Sequence, residues 1–211
     1  MSCRKKRNVS SEDKNAVIGG VLYLVATPSG NLSDLSERAL KVLADVEHNK
    51  RERGEIIADR LESGESCALV TDAGTPAISD PGEDIVRLCA ERGIPVSSIP
   101  GCCAAVTALT LSGLPTSRFA FEGFLSTAKS ERDERLTELQ SEVRTMIFYE
   151  APHKLKNTLA DLYKYFGDRK ITLCRELTKI NEEVCRTTIS EAIKIYEEKD
   201  PRGEYVLVVG G

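Results

Sequence analysis

The sequence contains no tryptophan, and aromatic residues make up only 5% of its 211 positions. A surface that binds nucleic acid by stacking bases on aromatic rings is therefore not expected. The formal net charge of −4 also argues against a protein that binds polyanions over its whole surface. Any contact with nucleic acid must come from a local basic patch.

Long apolar runs and paired cysteines are also missing. No run approaches the length of a membrane-spanning helix, about 20 residues, and the polar N-terminus lacks the apolar core of a signal peptide. The seven cysteines lack the paired spacing of a metal site, so we expect no metal. Because most lie in apolar segments, we interpret them as reduced hydrophobic residues of a cytoplasmic protein.

Apolar, β-prone runs alternate with amphipathic stretches over most of the chain, and 41% of the residues are hydrophobic. This pattern predicts a packed α/β protein. A hinge-like segment ending at Ser117 marks the boundary between two α/β domains, at residues 21–117 and 118–211. Residues 1–20 form a polar N-terminal tail. Its basic cluster, residues 4–7, is interpreted as a solvated arm, with an RNA-contacting arm as the alternative.

The most informative stretch is residues 67–82. A short apolar run, expected to be a buried strand, ends in a tight turn of small residues at 72–76, and Asp80 is a candidate helix cap. In open α/β sheets, ligands bind at the carboxyl ends of strands. Gly74 lets a ligand approach the backbone, and Asp72 offers an acceptor for hydroxyl or amino groups. The alternative is a joint between strand and helix that binds nothing.

Two further strand–turn–helix joints repeat this design. The apolar run at residues 21–27 ends in a turn, with Ser33 or Asp34 as the cap of the next helix. A third turn of small residues, 100–105, follows another predicted strand. We expect these turns to converge, and the free N–H groups of a helix start favour an anionic or polar ligand group.

Eight short motifs occur in the order and spacing of one known family. They are ATPSGNLSD (26–34), TDAGTP (71–76) with SDPG (79–82), PG (100–101), GLPT (113–116), FEGFL (121–125), FYEAPH (148–153), RELTK (175–179) and GEYVLV (203–208). Together they resemble the ribosomal small-subunit RNA (cytidine-2′-O)-methyltransferase family, a branch of the tetrapyrrole-methylase fold. The resemblance covers nearly the whole chain, from about residue 21 to residue 209.

The resemblance implies two α/β domains with S-adenosylmethionine bound in the cleft between them, usually as a homodimer. The implied reaction is methyl transfer to a ribose 2′-hydroxyl of small-subunit ribosomal RNA, without a membrane partner. The residues that would contact the cofactor are Pro28, Asp72, Ala73, Gly74, Thr75, Pro76, Cys103, Ala104, Tyr149 and Leu177.

For the hydroxyl, the hypothesis is Lys179 acting with Glu176, with Glu150 or His153 as the second choice. A ribose hydroxyl is a poor nucleophile and needs alignment together with a nearby base or cation. A lysine serves as a base only with a lowered pKa, and otherwise stabilises the developing alkoxide. The alternative is that Glu176 and Lys179 form surface ion pairs, and that His153 caps a helix.

Basic residues at the rim of the cleft are expected to hold RNA through its phosphates, which predicts salt-sensitive binding. Because the whole chain is acidic, a preformed ribosomal surface resembling an assembled 30S particle is a better substrate than free RNA. The predicted rim residues are Lys50, Arg51, Arg53, Lys129, Arg132 and Arg135.

Two departures from the family pattern are visible. Cys102 and Cys103 stand where the family has Pro and Ser, so a hydroxyl contact to the cofactor is lost or becomes a thiol contact. Between Val46 and Glu47 a strand–helix unit of the family, on the order of 25 residues, has no counterpart, which leaves no predicted strand between two helices. Because loss of a strand would expose sheet edges, we favour a segment left out of the sequence over a real deletion.

Two other functions fit the same residues. A small-molecule methyltransferase of the tetrapyrrole or precorrin type shares the fold, although the 148–153 and 175–179 motifs favour RNA. A non-catalytic protein that only binds S-adenosylmethionine is the alternative if the deletion is real.

Overall fold

The computed structural model describes residues 16–48 and 54–211. They form two compact units. The N-terminal unit contains the described residues up to Pro28 and those between Leu32 and Cys102. The C-terminal unit contains Ser29–Asn31 and Cys103–Gly211. The α/β expectation is confirmed for both units.

The N-terminal unit is built on a four-stranded parallel sheet. Its strands are β1 (Leu22–Val25), β2 (Glu47–His48), β3 (Cys67–Leu69) and β4 (Val96–Ile99), in the order β2-β3-β1-β4. Its helices are α1 (Glu37–Asp45), α2 (Gly54–Glu62) and α3 (Glu83–Arg92).

Alternate residues of β1 enter two different apolar clusters. Tyr23 and Val25 pack with Ala39 and Val42 of α1, whereas Leu22 packs with α2 and α3. The strand is therefore buried on both faces, as its continuous apolar sequence predicts.

Three local predictions in this unit are wrong. Ser36 caps α1, since its hydroxyl accepts the N–H of Ala39 at 3.1 Å, so neither Ser33 nor Asp34 does. Gly82 precedes α3 with no side-chain cap, so Asp80 is not the cap either. A two-residue strand, β2, does separate α1 from α2, because it pairs in parallel with β3.

The C-terminal unit is built on a five-stranded mixed sheet. Its strands are β5 (Phe119–Phe124), β6 (Thr145–Glu150), β7 (Lys170–Arg175), β8 (Glu183–Thr188) and β9 (Tyr205–Val209), in the order β5-β6-β9-β7-β8. Only β5 and β6 run parallel to each other; the other neighbours are antiparallel. Its helices are α4 (Ala104–Ser112), α5 (Lys129–Glu138), α6 (Leu155–Phe166) and α7 (Ile189–Glu198).

The central strand β9 is buried along its whole length, and its side chains pack on both faces of this sheet. Leu207 and Val209 pack into a cluster with α6 and α7, whereas Val206 and Val208 pack with α4. Because α4 is held by the second sheet, the compact units divide after Cys102, which differs from the predicted boundary near Ser117.

Among the residues that the structure describes, each helix is too short or too polar to traverse a lipid bilayer.

Candidate functional site

The turns after β1 and β3 are tied together at one edge of the parallel sheet. Thr27 and Gly74 exchange two backbone hydrogen bonds, each 2.9 Å long. The Thr27 hydroxyl also donates to the backbone carbonyl of Thr71 at 3.0 Å. Pro28 follows Thr27 directly, so the predicted cofactor residues of both turns are neighbours.

The third turn, after β4, joins the same group. The Thr75 hydroxyl donates to the carbonyl of Cys102 at 2.8 Å. A Cβ at Gly101 would lie 2.7 Å from Cβ of Ala26, so only glycine permits this approach. The predicted convergence of the three turns is therefore confirmed within the N-terminal unit.

The turn after β3 is strained and acidic. Ala77 and Ser79 adopt left-handed φ angles of 66° and 56°, each of which costs about 1 kcal/mol for a residue with a side chain. Burial raises the pKa of Asp80, a hydrogen bond from Thr71 lowers it, and the charge of Asp72 raises it further. Asp72 and Ala73 are exposed, whereas Gly74 and Pro76 are buried. Two carboxylates at one turn favour a cationic ligand group, which relieves their repulsion.

A second group of predicted cofactor residues lies in the C-terminal unit. The Tyr149 hydroxyl accepts the backbone N–H of Ala105, in the first turn of α4, at 3.1 Å. Cys103, Ala104 and Tyr149 pack against the cluster that contains the buried Leu177. The Tyr149 ring is also fixed by edge contacts with two phenylalanines, with ring centroids 5.1 Å from Phe121 and 5.5 Å from Phe124.

The segment after β7 holds a compact charge cluster. Lys179 Nζ donates to Glu176 Oε1 at 3.0 Å and to Glu204 Oε2 at 2.8 Å. Glu176 Oε1 also accepts the backbone N–H of Glu204 at 2.9 Å. The Glu176 and Lys179 side chains are 18% and 30% exposed, so this pair is partly buried, whereas the Glu204 side chain is 81% exposed and lies at the surface.

The electrostatics of this cluster keep Lys179 protonated. Its pKa is raised, first by the hydrogen bond to Glu204 and also by the one to Glu176. The pKa of Glu176 is lowered, first by the Glu204 backbone N–H and then by Lys179. Of the two roles that the sequence leaves open for Lys179, the structure supports the cation over the base.

The backbone around the cluster is strained and closely packed. Glu176 and Thr178 have left-handed φ angles of 51° and 66°. A Cβ at Gly203 would lie 2.5 Å from Cγ of Glu176, and a Cβ at Gly30 would overlap Cγ of Lys179. Both glycines therefore leave the room that the two charged side chains occupy.

Glu204 is the one member of the cluster that the sequence analysis missed. Its motif was recognised, but it lies 25 positions from Lys179, and no local pattern links the two. The sequence signal that could have identified Glu204 is its position after Gly203 and directly before the apolar strand β9.

Glu150 has a different environment from Glu176. It is 4% exposed, its Oε1 accepts the N–H of Ala151 at 2.8 Å, and its Oε2 accepts the hydroxyl of Thr158. Thr158 in turn accepts from Arg132 at 2.9 Å, and Arg132 pairs with Asp161 at 2.7 Å. Both oxygens of Glu150 are thus engaged in hydrogen bonds inside the unit.

The predicted rim cations have mixed outcomes. Arg135 is paired with Glu122 and Glu138, each at 2.7 Å. The predictions for Lys50, Arg51 and Arg53 and for the cluster at residues 4–7 lie outside the described residues.

In the part of the chain that the structure describes, no group of three or more His, Cys, Asp or Glu side chains could hold a metal ion.

Comparison with known proteins identifies the family. A family model for tetrapyrrole (corrin/porphyrin) methylases matches residues 45–193. The ribosomal RNA small subunit methyltransferase I of Synechocystis sp. is 43% identical over 221 residues, covering 91% of this chain and 79% of that protein. The protein of the same name from Bacillus subtilis is 42% identical over 234 residues, covering 98% of this chain and 80% of that protein.

The alignment with the Bacillus subtilis protein is longer than the chain itself. Its 234 positions exceed the 211 residues of this sequence by 23, so the relative has positions without a counterpart here. This agrees with the strand–helix unit that the motif spacing indicates is absent.

A solved structure shares the fold. The uroporphyrin-III C-methyl transferase from Thermus thermophilus, complexed with S-adenyl homocysteine, has a TM-score of 0.59 at 15% identity and covers 90% of this chain and 91% of its own. Together, the family match and the relatives above 40% identity show that this chain belongs to the tetrapyrrole methylase family, among the proteins named ribosomal RNA small subunit methyltransferase I.

Proposed function

We propose that this chain is an S-adenosylmethionine-dependent methyltransferase that methylates the ribose 2′-hydroxyl of a cytidine in small-subunit ribosomal RNA. The names of its relatives support the substrate class. The observation that carries the chemistry is the protonated Lys179 held between Glu176 and Glu204.

The residues fit the cofactor that the proposal requires. When bound, S-adenosylmethionine supplies a methyl group on a positively charged sulfonium. The carboxylates of Asp72 and Asp80 favour positive charge, and the turn at residues 72–76 presents backbone groups beside them. Tyr149 and Leu177 offer apolar contacts for an adenine ring. The proposed contacts remain Pro28, Asp72, Ala73, Gly74, Thr75, Pro76, Cys103, Ala104, Tyr149 and Leu177.

Lys179 acts on the hydroxyl rather than on the cofactor. A ribose hydroxyl becomes nucleophilic only as its proton passes to a solvent water molecule, and negative charge then develops on the oxygen. A fixed ammonium stabilises that charge, at no cost of reorganisation because Glu176 and Glu204 already hold it in place. Glu176 is a positioning residue in this scheme.

The test is transfer of a tritiated methyl group to small ribosomal subunits that lack the modification, followed by mapping of the labelled nucleotide. We expect label on the 2′-oxygen of a cytidine, and labelling that is about 100-fold slower with the Lys179→Ala variant. Label on a base, or on a tetrapyrrole supplied in its place, would refute the proposal. Parallel assays with free ribosomal RNA test whether the assembled particle is preferred, and sedimentation tests the proposed homodimer.

A further inference from the structure

A basic groove lies between the start of α5 and the exposed side of α6 in the C-terminal unit. It has a volume of about 530 Å³, and four of its lining side chains are basic. This α5–α6 groove contains Lys129, Arg132, Lys154 and Lys164, against two acidic side chains, Asp133 and Asp161. On a chain of net charge −4, it is a local patch of the opposite sign.

The four basic side chains are not equivalent. Arg132 is 13% exposed, forms an ion pair with Asp161 and donates to Thr158, so its charge is already paired within the unit. Lys164 Nζ lies 3.1 Å from the hydroxyl of Tyr165 and over its ring.

Lys129 and Lys154 make no ion pair with any residue that the structure describes. Two ammonium groups therefore remain available to an anion from outside.

The polar residues of the groove form a row along α6. Lys154, Asn157, Asp161 and Lys164 follow one another at intervals of three or four residues, which places them on one face of the helix. At 1.5 Å per residue the row spans about 15 Å, the length of several nucleotides of a strand. Such a row fits an extended polyanion better than a single small anion.

The floor of the groove connects to the candidate site. Thr158 lines the groove, and its hydroxyl donates to Glu150, the last residue of β6. Tyr149, the neighbouring residue, is one of the proposed cofactor contacts. An RNA strand held in the groove would therefore lie near the end of β6, next to a proposed cofactor contact.

From these observations we propose that the α5–α6 groove binds the phosphate backbone of the RNA substrate through Lys129 and Lys154. The identity of that RNA rests on the proposed function, but the groove itself is tested by binding alone. Lysine is a suitable residue for phosphate contacts, which position a nucleic acid without reading its sequence.

The experiment measures binding of in vitro transcribed small-subunit ribosomal RNA to the full chain between about 50 and about 200 mM salt. The groove variant is Lys129→Ala with Lys154→Ala. We expect about tenfold weaker binding and a salt dependence whose log–log slope is shallower by about 1.5, the value for two lost phosphate contacts.

The matched control is Lys156→Ala with Lys194→Ala, which removes the same charge. Lys156 lies on another face of α6, 3.7 Å from Asp200, and Lys194 is exposed on α7. This control is expected to bind RNA like the wild type, and calorimetry should find S-adenosylmethionine binding unchanged in both variants.

Three results would overturn the proposed role of the groove: wild-type protein that binds neither the free RNA nor the assembled small subunit, a groove variant with wild-type affinity and slope, or a control that loses as much as the groove variant. Methyl mapping separates this inference from the proposed function. A protein that binds RNA through the groove but labels no cytidine refutes the function alone. A groove variant that binds and methylates like the wild type refutes the groove alone.

Discussion

Lys179 Nζ donates to Glu204 Oε2 across 2.8 Å, although the two residues are 25 positions apart in the sequence. Lys179 follows β7, and Glu204 directly precedes β9, which pairs with β7 from Arg175 and Tyr205 onwards. The charge cluster therefore depends on the pairing of these two strands. A substitution that weakens the pairing of β7 and β9 near Arg175 and Tyr205 should lower turnover more than it lowers folding stability.

Replacing Lys179 with alanine should lower turnover by about 100-fold, the range for loss of one group that stabilises developing negative charge. Binding of S-adenosylmethionine, measured by calorimetry, should stay within twofold of the wild type (about 0.4 kcal/mol). Lys170→Ala, at the exposed start of β7, is the control and should leave both quantities unchanged. Unchanged turnover in Lys179→Ala would remove this residue from the mechanism.

The ion pair between Glu176 and Lys179 should stabilise the fold only over the pH range in which both side chains are charged. The pKa of Glu176 is lowered from 4.5, so its contribution is present above that value and is lost as the pH falls. The pKa of Lys179 is raised from 10.5, so its contribution is present below that value and is lost as the pH rises through the folded-state pKa.

The difference in melting temperature between wild type and Lys179→Ala should therefore be constant from about pH 6 to about pH 9. It should shrink beyond both ends of that range. A difference that changes around neutral pH would mean that Lys179 titrates there and can act as a base.

Glu150→Gln should lower stability while turnover per folded molecule is kept. An amide has a single acceptor oxygen, so it cannot accept both the Ala151 N–H and the Thr158 hydroxyl, and a buried donor left without an acceptor costs about 1–2 kcal/mol. Glu134→Gln, on the exposed side of α5, serves as the control. If turnover falls while the melting temperature holds, Glu150 takes part in the reaction instead.

Gly203→Ala should disturb the charge cluster more than a comparable glycine substitution elsewhere. Its φ is +77°, and the new Cβ would lie 2.5 Å from the Glu176 side chain. Gly93→Ala is the matched control, because its φ is +70° but its Cβ would enter open space. Both should lose about 1 kcal/mol to backbone strain. Only Gly203→Ala should also lower turnover, and equal turnover in the two variants would contradict the geometry.

Tyr149→Phe removes the acceptor of the Ala105 N–H, which should cost about 1 kcal/mol of folding stability and about 2–4 °C in melting temperature. The loss should not be larger, because the ring contacts with Phe121 and Phe124 do not need the hydroxyl. Because the start of α4 is then less firmly fixed, binding of S-adenosylmethionine should also weaken. Calorimetry and thermal unfolding of the same preparation check both statements. Wild-type affinity would show that the Tyr149–Ala105 hydrogen bond does not shape the cofactor site.

The sequence predicted those parts of the site that depend on local pattern. Each turn of small residues directly follows an apolar run, so the Thr27, Gly74 and Cys102 turns could be located before their contacts were known. Lys179 and Glu176 could be paired because they are three positions apart.

Contacts between distant segments carried no such signal. Glu204 reaches Lys179 only because β9 inserts beside β7. The cap of α1 was misplaced because Ser33, Asp34 and Ser36 are all suitable residues within one turn. A strand of two residues, β2, is too short to show a periodicity.

The position of β9 also determines when the charge cluster can be completed during synthesis of this protein. Because β9 lies between β6 and β7, the second sheet lacks its central strand until the ribosome has translated residues 205–209. Glu204 arrives at the same moment, so a nascent chain carries Lys179 without one of its two counter-charges. The charge cluster is therefore complete only after β9 has been translated and has inserted between β6 and β7.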